Sequence, residues 1–345
     1  MDAPLHLRAQ AAAARALLRL PPEVLVRLAG GVPLAKDGCV LDAQTQMLAW
    51  LAARLGRAGR GRGELAHERR EFDREAAAFV RRHSPLASVR DERVSANIRA
   101  RVYRPHGARA KGPAVVFFHG GGFVLGGLAS HDPICRALAH DTGFAVVAID
   151  YRLAPEHPFP AAADDATEAF RWVARSADAL DVDPARLAVA GDSAGGNLSA
   201  VVCLDTRGDA VRPRFQALVY PATDSTWSFP SMETMATGGL LERESVGWFR
   251  GSYTPDPAIW KLPRVSPWFA DDLASLPPAL VQTAGFDPLR DEGEAYGERL
   301  RDAGVPVTVK RYPSLSHGYL NVLGTVTAVA EPWDDLVAAL QQHLA

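Results

Sequence analysis

LAVAGDSAGGNLSA, residues 187–200, decides how this chain folds. Leu187–Ala190 is a short apolar run of strand type, and Ala194 onward reads as a helix. Between them the chain reverses at one residue, Ser193, flanked by Gly191 and Gly195. So sharp a turn forces Ser193 into a strained backbone conformation. Side chains at 191 and 195 would collide with neighbouring segments, so both positions need glycine. The turn lifts the Ser193 hydroxyl clear of the sheet. The helix start behind it offers free N–H groups and partial positive charge. G-x-S-x-G alone is a common string, and a glycine-rich turn around an ordinary serine is the bland reading. Set between strand and helix, the pattern points to a nucleophile held at a strand end.

Outward from this turn the same alternation repeats. Ala87–Val94 and Ile98–Tyr103 suggest an antiparallel opening pair. Ala114–Phe118, Ala145–Asp150, Phe215–Tyr220, Ala279–Thr283 and Val307–Tyr312 are further strand candidates. The middle runs are apolar on both parities, as in strands covered by helices on both faces. Helical spacing falls at 129–141, 161–176, 195–206, 291–303 and 333–344. This is the order of βαβ units and a largely parallel sheet, an α/β fold. Residues 1–85 read as helical and irregular, with Ala11–Leu20 and Ala43–Leu55 in helical spacing and Pro21-Pro22 between them. Residues 222–270 break the alternation and carry Trp227, Phe229, Trp248, Phe249, Tyr253, Trp260 and Trp268. Such a density of aromatics marks a face that packs on something. The division expected is an N-terminal cap segment over 1–85, core over 86–221 and 271–345, and a cap insertion over 222–270. The alternative for 222–270 is an extra core helix with no substrate contact.

Two more loops complete a constellation. HGGGF, residues 119–123, follows a strand, and its consecutive glycines leave backbone N–H groups free to converge. A tetrahedral oxyanion needs two or three such donors. Gly121, Gly122 and Ala194 are the candidates. A phosphate cradle is disfavoured, because neither GxxxxGK[ST] nor a helix-opening GxGxxG is present. Asp287 and His317 follow successive strands, at the sheet edge where open α/β folds hold their sites. The order Ser193, Asp287, His317 suits a nucleophile, an acid and a base. Asp291 is the second candidate acid, but its place suits the start of a helix.

Bulk properties narrow the classes. The chain has 345 residues, 48% hydrophobic and 23% charged, with net charge −2, so no nucleic-acid partner is indicated. GRAGRGRG (56–63) reads as a linker. Cys39, Cys135 and Cys203 form no disulfide or zinc pattern and read as small buried hydrophobes. With no HExxH or clustered ligands, neither metal nor cofactor is expected. No apolar run reaches the roughly 20 residues of a membrane span. Arg8, Arg15 and Arg19 interrupt the apolar N-terminus, against a signal peptide and for a cytoplasmic protein. A homo-oligomer stays open.

HGGGF, the segment Tyr151–Glu156 with Phe159–Ala162, GDSAGGNL and GFDPLRDEG together resemble the bacterial hormone-sensitive-lipase-like esterases. The resemblance is strong over 86–345 and weak before. It implies an α/β-hydrolase fold with an eight-stranded core, a helical cap, and cofactor-free hydrolysis of short to medium acyl esters. By motif position it assigns the roles above to Ser193, Asp287, His317, Gly121 and Gly122. The N-terminal region is longer than usual in that family. Tyr319 replaces a frequent Phe, with a change in pocket polarity expected, and Arg152 and Glu156 are expected to pair with each other and the backbone. Two rivals stay open: a non-catalytic ligand-binding protein on the same fold, and an amidase or acyltransferase with the same three residues.

Overall fold

In the computed structural model, residues 12–54, 61, 63–80 and 85–345 are described. The N-terminal part runs through α1 (12–17), α2 (Pro22–Leu28), a small hairpin of β1 (Ala35–Lys36) and β2 (Cys39–Val40), α3 (Ala43–Arg54) and α4 (Leu65–Phe79). Most of the 56–63 linker and Arg8 fall outside the described residues. Then come β3 (Ser88–Arg93), β4 (Arg99–Arg104), β5 (Gly112–Phe118), α5 (Leu128–Thr142), β6 (Ala145–Asp150), α6 (Ala161–Arg175), α7 (Ala177–Leu180), β7 (Val182–Asp192) and α8 (Ala194–Asp205). β8 (Phe215–Val219) leads into α9 (Ser231–Thr234) and α10 (Arg243–Tyr253). β9 (Ala279–Phe286), α11 (Arg290–Asp302), β10 (Val307–Ser316) and α12 (Ala330–Leu344) close the chain.

β3 to β10 form one eight-stranded sheet in the order β10-β9-β8-β7-β5-β6-β4-β3. β4 is antiparallel to both β3 and β6; every other pairing is parallel. All residues of β5, β8 and β9 are buried, because helices cover both faces. Strand alternation splits β5 between two cores. Ala114, Val116 and Phe118 pack with α6, α8 and α11 through Phe170, Leu198 and Leu300. Val115 and Phe117 pack on the other face with α5 and α12 through Ile134, Leu138, Leu336 and Leu340. α6 shows why it lies down: Ala162, Ala163, Ala166, Ala169, Phe170 and Val173 form one buried stripe at helical spacing.

The order reverses at β5, which sits between β6 and β7. Such a switch point opens a crevice beyond the carboxyl ends of the two strands. The strands are also longer than their apolar runs. β9 continues through Gly285 to Phe286. β10 passes Pro313 with a register shift and pairs again at Ser316 with Phe286. Asp287 and His317 therefore each stand one residue beyond a strand end, side by side. Among the described residues, no helix is long and apolar enough to cross a membrane.

Candidate active site

Ser193 has φ 55° and ψ −116°, a conformation a non-glycine residue holds only when its surroundings impose it. They do so here by hydrogen bonds. Its N–H donates to the Val219 carbonyl at 2.8 Å, and its carbonyl accepts from Asn197 at 3.0 Å and Ala222 at 3.3 Å. A Cβ at Gly195 would collide with the Phe118 carbonyl oxygen at the end of β5, so α8 can start this close to the sheet only with glycine there.

The three residues singled out in the sequence meet. Ser193 Oγ lies 2.9 Å from His317 Nε2, and His317 Nδ1 lies 2.8 Å from Asp287 Oδ2. Asp287 is fully buried, and its Oδ1 accepts the Leu289 N–H at 2.8 Å. His317 rests on Tyr220, with ring centres 4.6 Å apart. Asp291 is not part of this line. It accepts from Arg290 Nε at 2.7 Å and from the Ser231 N–H at 2.9 Å, in the first turn of α11.

The glycine loop approaches from β5. Gly122 has φ +62°, and a Cβ there would run into the Phe249 ring, so both backbone and space demand glycine. Among the described residues, the N–H groups of Gly121, Gly122 and Ala194 donate to no protein acceptor, and all three residues border the same cavity as Ser193. Residues that the sequence did not single out fix this loop. Asp192, the residue before the serine, accepts the Gly120 N–H at 2.8 Å and faces His131 Nε2 at 3.2 Å. Burial opposes ionisation of Asp192, but His131 and the Gly120 N–H together hold its carboxyl below the usual range. Tyr151 donates to the His119 carbonyl at 2.7 Å and stacks on the His119 ring at 4.2 Å. Arg69 of α4 donates to the Val124 carbonyl at 2.9 Å and grips Glu156 at 2.7 and 2.8 Å. The variable position inside G-x-S-x-G was the one available signal, for Asp192.

Two expectations are corrected. Arg152 does not pair with Glu156. It makes a bidentate pair with the buried Asp165 of α6, down to 2.6 Å, while Glu156 pairs with Arg69. Asp165 comes from the helix that follows, and Arg69 from the N-terminal α4. Tyr319 does not alter the pocket. It is buried behind the site, where its hydroxyl donates to Gln282 at 3.0 Å and its ring meets Tyr220 edge-on.

Above Ser193 is a cavity of about 700 Å³, bordered by Leu17, Leu48 and Phe72 from the N-terminal helices and by Trp227, Phe249 and Tyr253 from 222–270. Tyr253 stacks on Phe123 of the glycine loop at 3.8 Å. The other aromatics of this segment pack elsewhere, such as Phe229 against Trp268 at 5.1 Å. Deep in the cavity wall is Glu292, whose Oε1 accepts the N–H groups of Thr223 at 2.7 Å and Asp224 at 3.1 Å. Burial, with the Asp224 charge adding, pushes its carboxyl well above the usual glutamate range. The three cysteines are buried and unpaired. Among the described residues, no cluster of His, Cys, Asp or Glu could hold a metal ion.

A serine at a strand-to-helix turn, beside a histidine and aspartate on the next strand ends of an eight-stranded sheet, defines the class as α/β-hydrolases. A family model described as alpha/beta hydrolase fold matches residues 115–321. A carboxylic ester hydrolase, LipN, of Mycobacterium tuberculosis is 47% identical over 254 residues, 72% of this chain and 67% of its own. An ethyl acetate hydrolase of Pseudomonas putida is 37% identical, covering 81% and 91%. The solved structure of an ester hydrolase from the metagenome of Lake Arreo, complexed with a derivative of bipyridine phosphonate, matches with TM-score 0.82 and 40% identity, over 88% of this chain and 99% of that one. The chain belongs to the bacterial hormone-sensitive-lipase-like carboxylesterases of the α/β-hydrolase fold, and is a carboxylic-ester hydrolase.

Proposed function

We propose that this chain hydrolyses short- to medium-chain carboxylic esters through an acyl-enzyme on Ser193. The observation that carries the reading is the continuous line from Ser193 Oγ through His317 to Asp287, at 2.9 and 2.8 Å, opening into the cavity. His317 takes the Ser193 proton at Nε2 as the hydroxyl attacks the ester carbonyl. Asp287 fixes the imidazole with its proton on Nδ1 and stabilises the imidazolium. The N–H groups of Gly121, Gly122 and Ala194 receive the oxyanion, a role for which they are free. His317 then protonates the departing alcohol, and water releases the acid by the same route. No cofactor takes part in this scheme.

Residues 1–85 and 222–270 act as the cap, and core segments 86–221 and 271–345 carry the chemistry. The side chains that both cap segments contribute to the cavity support this division. The apolar part of the cavity wall favours acyl chains up to the length it can bury, since each methylene adds ~0.8 kcal/mol only while room remains. A panel of p-nitrophenyl esters from acetate to palmitate tests the reading. A maximum of kcat/KM at roughly four to eight carbons is expected for a slot of this kind. Full activity on emulsified long-chain triglyceride contradicts it. Preference for amides, or transfer to alcohols over water in such an assay, would favour the amidase or acyltransferase reading.

A further inference from the structure

Arg250 of α10 stands in the wall of the cavity that holds Ser193, with no ion-pair partner among the described residues. Its guanidinium carbon lies 3.7 Å from the ring centre of Trp227 and 4.0 Å from that of Trp260. The two indoles hold the planar fork in place. Nη1 donates to the Ser225 carbonyl at 3.0 Å. Among the described residues, Nε and Nη2 have no acceptor and no carboxylate lies within ion-pair distance of Arg250, which borders the cavity.

The surrounding charges are already engaged. Arg243 pairs with Glu233 at 2.9 Å, and Arg74 with Glu71 at 2.6 Å. Asp224 is the acidic group whose charge reaches Arg250, but both of its oxygens are taken. Oδ1 accepts from the Thr226 N–H and hydroxyl at 2.7 and 2.6 Å, and Oδ2 from the Ser228 N–H and hydroxyl at 3.1 and 2.5 Å. Burial pushes the Glu292 carboxyl well above the usual glutamate range, which disfavours a further negative charge beside the fork. A brace between two rings uses the faces of a guanidinium. It does not require Nε and Nη2 of a half-buried guanidinium to be left without acceptors. A fixed fork of this kind matches a carboxylate, which accepts two parallel N–H groups.

We propose that Arg250 is a carboxylate-binding subsite, and that this enzyme prefers esters carrying a free carboxylate. The inference rests on Ser193 as the nucleophile of the same cavity. The carboxylate could belong to the acyl part, as in a monoester of an aliphatic dicarboxylic acid, or to the alcohol part, as in an acylated hydroxy acid. Both present the same anion to Arg250.

The test measures kcat/KM for monoethyl glutarate and monoethyl adipate, for butyryl-4-hydroxybutyrate, and for neutral ethyl esters of matched length. The full chain, Arg250→Gln, Arg250→Lys and Ser193→Ala are compared. Wild type should favour the anionic member of at least one pair, and the preferred arm identifies which side carries the anion. The anionic-to-neutral ratio should fall about 10- to 100-fold in Arg250→Gln, with a smaller fall in Arg250→Lys, which keeps charge but loses the fork. Calorimetry with free glutarate should show binding to wild type and to Ser193→Ala, lost in Arg250→Gln. A ratio unchanged in Arg250→Gln, or glutarate binding unaffected by it, overturns the subsite. Neutral-ester hydrolysis that survives in Ser193→Ala instead overturns the nucleophile, while the glutarate titration still decides the subsite.

Discussion

Replacing Asp287 by Asn puts the wrong proton on His317, and the reason lies in a hydrogen bond that holds the acid from its other side. Asp287 Oδ1 accepts the Leu289 N–H at 2.8 Å, and Oδ2 faces His317 Nδ1 at 2.8 Å. An asparagine must keep its carbonyl oxygen toward Leu289, because that buried N–H needs an acceptor. Its amide NH₂ then faces Nδ1 and donates to it. His317 is left with its proton on Nε2, opposite Ser193, where it cannot accept the serine proton. A wrong tautomer in such a triad costs about 10⁴-fold in kcat, or about 5.5 kcal/mol of barrier. Asp291→Asn loses only the contacts to Arg290 and Ser231, at the partly exposed start of α11. Its activity should stay within about threefold of wild type, as for surface substitutions. The assay is p-nitrophenyl butyrate hydrolysis for both variants, with circular dichroism to check the fold. If Asp291→Asn loses more activity than Asp287→Asn, the acid has been misassigned.

Three further outcomes follow from particular contacts. Glu292 has a raised folded-state pKa, so the folded chain retains a proton that the unfolded chain releases near its ordinary value of about 4.3. The stability this contributes is full below that value and declines as pH rises toward the folded pKa. Wild type should therefore lose melting temperature relative to Glu292→Gln between about pH 5 and pH 8; parallel melting curves count against a buried neutral acid. Arg152→Ala strands the buried Asp165 carboxylate and should cost about 3 kcal/mol in urea unfolding; a change under about 1 kcal/mol contradicts that account. Removing residues 1–40 takes Leu17 from the cavity wall. This should shift the ester chain-length optimum more than it slows reaction of Ser193 with a small phosphonate, and an unchanged profile in a folded truncation means these residues do not shape the slot.

The sheet and the three-residue line were legible because both are local signals. Apolar runs of strand length mark β5 to β10, and Ser193, Asp287 and His317 each fall a few residues after one. The ends of β9 and β10 were less legible. Gly285 and Pro313 interrupt the apolar pattern, yet pairing to the neighbouring strand carries both strands on to Phe286 and Ser316. Contacts between distant segments left no pattern at all. Arg152 finds Asp165, Glu156 finds Arg69, and Asp192 finds His131 and Gly120 only after the helices dock. The consequence of Tyr319 was misread for the same reason. The sequence places it two residues after His317, but not with its ring turned inward toward Gln282. The aromatic density of 222–270 was visible, whereas its division between the cavity and packing elsewhere depends on folding.

The most direct test of the account is rapid-quench mass spectrometry during p-nitrophenyl butyrate turnover. A burst of p-nitrophenol is expected, matched by a butyryl adduct on the peptide containing Ser193 and absent in Ser193→Ala. Retained turnover in Ser193→Ala, or an adduct on another residue, contradicts it.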